Sequence, residues 1–300
     1  MRFDTYPTKV PLNPILRQSA STSQSERSIL RRLLVYLPTL TTLTITGLFL
    51  LHGPIVQLAH YNEFADQSVF IGVPHAADVF SNLGFAIVAI WGLLNLWPLR
   101  RHAALDAGWL GYHLFLIGLL LTALGSAFYH LAPDNARLVW DRLPIALACA
   151  GLLAGVRAET VGSHNGKAGM ALYAICALFS IAWWWVSDRH GAGDLRPYLL
   201  LQGLPLILIP LWQWIYRAPA SDRLAFDIAL LLYLAAKIVE INDHQLFDLL
   251  GVISGHTLKH LLATAAAGVL VLRLRQRTRE SPDSISSDSS IYNPVRRPFS

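Results

Sequence analysis

Eight long apolar windows recur along the 300-residue chain, near 33–51, 79–97, 109–130, 139–156, 168–186, 197–216, 224–240 and 252–272. A tilted helix crosses roughly 30 Å of hydrocarbon with about 20 such residues. In that solvent each backbone N–H and C=O has to be paired within the chain, which selects helices or a closed barrel. Windows of this length read as helices, so the expected fold is an all-α polytopic membrane bundle. Composition points the same way. The chain is 54% hydrophobic and 14% charged, whereas a soluble globular chain carries about 25% charged residues. An ordinary cytosolic enzyme, a disordered chain and a small disulfide scaffold are excluded.

The segments 1–32 and 274–300 are polar and rich in Ser, Thr and Pro, and are expected to be disordered tails flanking a membrane domain at 33–273. The first window resembles a signal peptide in character, but the long segment before it and the lack of a clear small-residue cleavage site favour a retained helix. Cys149 and Cys176 lie in apolar windows and form neither a disulfide framework nor a redox motif.

The net charge of +5 does not imply a nucleic-acid partner, because the basic residues sit at the ends of apolar segments. With the amino terminus cytoplasmic, 18 Lys and Arg fall on the inside segments and only Arg137, Arg142, Arg189 and Arg196 on outside loops. Both termini are therefore expected in the cytoplasm.

Ionisable residues within membrane helices are costly and point to function. The third window ends in Ser126 and His130, four apart and so on one helix face. The fourth opens on Trp140, Asp141 and Arg142, and the eighth on His256 and His260, again four apart. The topology brings the end of the third and the starts of the fourth and eighth to the non-cytoplasmic side. Ser126, His130, Asp141, His256 and His260 then all lie within about two turns, of roughly 5.4 Å each, of one surface.

Three neutral imidazoles can hold Zn²⁺ and leave a fourth position for water, as in a catalytic zinc site. Asp141 can carry the water proton to a leaving amine, and Ser126 can hold the water or the developing oxyanion. Plainer readings stand beside these. A lone membrane His is often a packed residue. A helical Ser usually bonds its own backbone. Asp141 and Arg142 can form an interfacial ion pair. His256 and His260 share a face and cannot bind opposite faces of one haem, although one of them can pair with His130, which keeps a haem-based electron-transfer reading open. Lys237 and Glu240 are spaced to pair on one helix, Glu240 and Asp243 can support a ligating His from behind, and loop 52–77 can serve as a lid or simply as a connector.

The Ser126-x-x-x-His130 pair, Asp141 and His256-x-x-x-His260 resemble the alkaline ceramidases of the CREST superfamily of membrane hydrolases. Ser81-Asn82, the segments 129–135, 140–144 and 193–197, and 254–260 are similar to bacterial ceramidase-domain proteins in particular. The resemblance covers about 60–273. It implies a seven-helix core at 79–272 with one added amino-terminal helix. It also implies zinc on His130, His256 and His260, and hydrolysis of the N-acyl amide of a ceramide-like lipid to a fatty acid and a sphingoid-type amine, assisted by Ser126 and Asp141. Animal members carry an acidic calcium site that includes a Glu six residues before Ser-Asn. Here that position is His75, and Glu63, Asp66 and Asp78 do not reproduce the pattern. The alternative is a receptor-like or structural membrane protein of the same superfamily, similar to the adiponectin-receptor group, with little turnover.

Overall fold

The structure, a computed structural model, describes residues 33–162 and 166–280. Ten helices follow in order among them: α1 (Leu37–His52), α2 (Ala76–Ser81), α3 (Leu83–Leu96), α4 (Trp109–Leu131), α5 (Asn135–Thr160), α6 (Gly166–Arg189), α7 (Arg196–Ile215), α8 (Ala220–Ile241), α9 (Asp243–Leu250) and α10 (Gly255–Glu280). A two-residue hairpin, β1 (Val69–Phe70) with β2 (Val73–Pro74), interrupts the α1–α2 loop.

Helices occupy all eight apolar windows. Six stretches are long and apolar enough to cross a membrane: Ala76–Leu99, which includes α2 and α3, then α4, α5, α6, α7 and α10. The other two fall short of the expected eight for different reasons. α1 has only 16 residues, and α8 carries Asp227, Lys237 and Glu240 inside its apolar stretch. Helix α10 runs on through 274–280, which the sequence reading assigns to the carboxyl tail. The remaining tail segments, 1–32 and 281–300, lie outside the described residues.

Outward positions such as Ile87, Leu94, Leu124, Ile175, Leu231 and Leu272 are apolar and exposed. That surface suits a hydrocarbon surround, since water-soluble monomers rarely expose such continuous apolar area. Because lipid supplies no hydrophobic drive between helices, close packing has to hold them together. The α4–α5 contact is the most extensive in the molecule, and there a Cβ at Gly111 would meet the backbone of Gly151 and Gly155.

The helices enclose a central space. α10 lies along α8 and against α3, α3 along α4, α4 along α5, and α5 against α6 and α7. α7 and α8 touch only sparsely, which leaves a seam in the ring.

Candidate metal centre

The site is built at the end of α4 and the starts of α2, α5 and α10. Pro144 has no N–H to give to the Trp140 carbonyl one turn earlier in α5. Gly125 of α4 packs on that carbonyl so closely that a Cβ would collide with it. The contact holds the last turn of α4, with Ser126 and His130, beside the turn of α5 that carries Asp141. Gly255 does the same at the start of α10, where a Cβ would meet the Val239 carbonyl and Asp243. Asp243 accepts from the His256 backbone N–H at 2.7 Å and from the Ala65 N–H at 2.9 Å. It therefore caps α10 and ties down the α1–α2 loop, a structural role and not the support of an imidazole that its spacing also allowed.

His130, His256 and His260 converge. Their ring centroids are 4.7 Å apart for 130–256, 5.2 Å for 130–260 and 4.8 Å for 256–260. One ring nitrogen from each lies within 4.8 Å of the others, and all three residues are buried. Ligand nitrogens around tetrahedral zinc, at about 2.0–2.1 Å from the ion, are about 3.4 Å apart, so modest rotation of the rings closes the triad.

The polar atoms here test whether an ion fits. Among the described residues, neither ring nitrogen of His130 has a hydrogen-bond partner, nor does Ser126 Oγ, nor does Asp78 Oδ2, although all are fully buried. Buried polar groups are otherwise paired as a rule. A cation held by imidazole nitrogens would resolve the His130 orphan, and three neutral nitrogens with one further position suit a borderline-soft divalent ion. The buried His130–His256–His260 group can hold a metal ion.

A neighbouring hydroxyl sets which nitrogen His260 offers. Ser81 Oγ donates to the Asp78 carbonyl at 2.9 Å and lies 2.8 Å from His260 Nδ1. It thus accepts from Nδ1–H, which leaves Nε2 as the free lone pair. Asp78 Oδ2 lies 4.0 Å from His130 Nδ1, while Asp78 Oδ1 accepts from Ser254 at 3.1 Å and from Thr257 at 2.5 Å. A carboxylate behind a ligating His is the usual way to fix its ring. At His256 a cation intrudes: Lys259 Nζ lies 2.8 Å from Nε2 and 3.1 Å from Glu240, which also pairs with Lys237 at 2.8 Å. Lys237 and Glu240 thus pair as their spacing predicts, and Glu240 acts on Lys259, not on a His.

Phe64, from the α1–α2 loop, covers the rings at 4.6 Å from His130 and 4.4 Å from His256. The loop therefore has a lid residue. Asp78, Ser81, Lys259 and Phe64 are absent from the sequence-based set. Ser81 was visible only within the Ser-Asn motif, and Asp78 only as one acid among several. Exposed Glu63 stands apart and pairs with His60, while Asp66 Oδ2 accepts the Asp78 backbone N–H. Among the described residues the three His are the only group that could hold a metal.

Ser126, Asp141 and His260 all face one cavity of about 310 Å³. Its walls are mostly apolar, with Phe115, Leu119, Leu152, Phe226, Leu230 and Leu270 among them. At 1.5 Å per residue, about 16 Å of helix axis separates Phe115 from Ser126. The cavity is thus a long apolar chamber with its polar groups at one end.

In comparisons with known proteins, the chain matches no family model and no curated protein.

Proposed function

We propose that the chain is a zinc-dependent membrane amidohydrolase that cleaves the N-acyl amide of ceramide-like lipids to a fatty acid and a sphingoid-type amine. The observation that carries this reading is the set of unpartnered buried atoms, His130 Nδ1 and Nε2 and Ser126 Oγ, where three imidazoles meet the polar end of an apolar chamber. Those groups suit an ion and a substrate, not a closed structural network.

His130, His256 and His260 would hold the ion, with Ser81 and Asp78 orienting two of the rings from behind. When bound, zinc supplies a Lewis acid for the carbonyl and makes water a nucleophile at neutral pH. Lys259 would leave His256 and turn fully to Glu240, because an ammonium and a dication repel each other at that range. The acyl chain enters through the seam between α7 and α8 and lies along the cavity walls, which exclude bulk water. Asp141 takes a proton from the attacking water as its oxygen bonds to the carbonyl carbon, and passes that proton to the amine nitrogen as the C–N bond breaks. Ser126 donates to the oxygen on which negative charge develops.

Purified protein with zinc is expected to release fatty acid from a panel of ceramides and other N-acyl lipids. His256→Ala is expected to abolish release with helix content unchanged. A zinc-loaded protein that releases nothing across the panel contradicts the hydrolase reading and favours the receptor-like one.

A further inference from the structure

Arg142 sits one position beyond Asp141 on α5 and lines the same cavity. It is 2% exposed, yet its Nε and Nη1 have no hydrogen-bond partner and its guanidinium makes no ion pair among the described residues. Adjacent helical residues point about 100° apart, so Asp141 does not neutralise it. Three aromatic rings surround the charge: Trp184 at 4.3 Å, Tyr61 at 4.9 Å and Tyr198 at 5.5 Å from Cζ to the ring centroids. Ring faces attract a cation but accept few of its N–H groups, and a buried charge without a counter-charge is expensive. Trp184 Nε1 is also buried without an acceptor. The box is therefore rich in donors and short of one acceptor-rich, negatively charged group. A planar carboxylate matches the guanidinium fork best.

We infer that Arg142 is a headgroup-recognition residue, and that the preferred ligand is an N-acyl amino acid, whose carboxylate pairs with Arg142 while its acyl chain fills the cavity. This rests on the amidohydrolase reading for the amide bond alone, and replaces the neutral amino-alcohol head of a ceramide with an anionic one. The carboxylate and the amide share one end of such a lipid, and Arg142 and Asp141 line the same cavity. A neutral head leaves the guanidinium uncompensated.

The test uses the full chain in detergent, treated with chelator so that binding is read apart from turnover. N-acylglycine is compared with its methyl ester and with the N-acylethanolamine of the same chain length, each displacing a fluorescent acyl probe. The free acid is expected to bind about tenfold more tightly or better than either neutral ligand, the size of one charge-assisted hydrogen bond. Arg142→Gln is expected to remove that preference while leaving the affinity for the ethanolamide in place. Equal binding of acid and ester by the wild-type protein overturns the inference without need of any variant, as does a preference that survives in Arg142→Gln. A protein that binds the acid selectively but hydrolyses nothing when loaded with zinc sinks the hydrolase reading and leaves the binding site standing.

Discussion

Two buried polar clusters lie at the same end of the bundle, one around Asp194 and one around His130. Asp194, between α6 and α7, is sealed. It accepts from Trp183 Nε1 at 2.9 Å, from the Ile55 backbone N–H at 3.3 Å and from Arg196 Nη2 at 2.8 Å, and its own N–H donates to Ser187 Oγ at 2.8 Å. Arg196 also reaches the Phe49 carbonyl of α1 at 3.3 Å, so with Ile55 the cluster ties the end of α1 and the loop after it to the bundle. Around His130 and Arg142 the donors and acceptors are just as buried, yet several are empty-handed. The two arginines state the difference most simply: Arg196 has its carboxylate and Arg142 has none. A saturated cluster holds the fold together, and an unsaturated one keeps its bonding capacity for something that arrives.

Substitutions that remove one group from each cluster should therefore fail in different ways. The largest effect is expected for Asp141→Asn, which should lower turnover by roughly 10²–10⁴-fold, the range for a general acid–base group. Bound zinc should stay at the wild-type level. Lost metal in this variant would make Asp141 a ligand instead of a proton carrier.

Asp194→Asn should do the reverse. Removing the carboxylate charge leaves the Arg196 guanidinium without its partner and lowers the stability of the fold. Thermal unfolding in detergent should shift accordingly while the metal content of the folded fraction is unchanged. Burial works against the Asp194 carboxylate, but Arg196 and Trp183 outweigh it and hold its pKa at about 2, below the ordinary 3.8. Its stabilisation is then fully present above the ordinary value and is lost as pH falls through about 2. A stability profile flat across that window, or one restored by acid, breaks the comparison from the sealed side.

Ser126→Ala should have the smallest structural effect. Its hydroxyl makes no hydrogen bond, so the thermal midpoint should move by no more than a surface change does, about 0.5 kcal/mol, while hydrolysis still drops. A strong loss of stability would place Ser126 among the structural residues.

The helices were legible because an apolar period long enough to span lipid admits few other folds. The metal group was legible because pairs four apart share a face and the alternation of sides brings their ends together. What could not be read depends on contacts between distant segments. Asp78 looks no different in sequence from Asp66 or Glu63; only the packing of α2 against α4 and against the start of α10 carries it behind His130. Arg142 reads as the partner of Asp141 until the helix turns the two apart. Asp243 is spaced to serve a His, yet α9 aims it at a backbone N–H. Phe64 is an ordinary loop aromatic until the loop folds over the rings. The shortfall of α8 as a span was visible in its charges, since Asp227, Lys237 and Glu240 interrupt the apolar run.

The most direct measurement is the metal content of the purified chain before and after His130→Ala. The account expects close to one zinc per wild-type chain, and none above background in a variant that keeps its helix content. A metal-free wild type after purification with zinc present, or a variant that still carries the full equivalent, would contradict it.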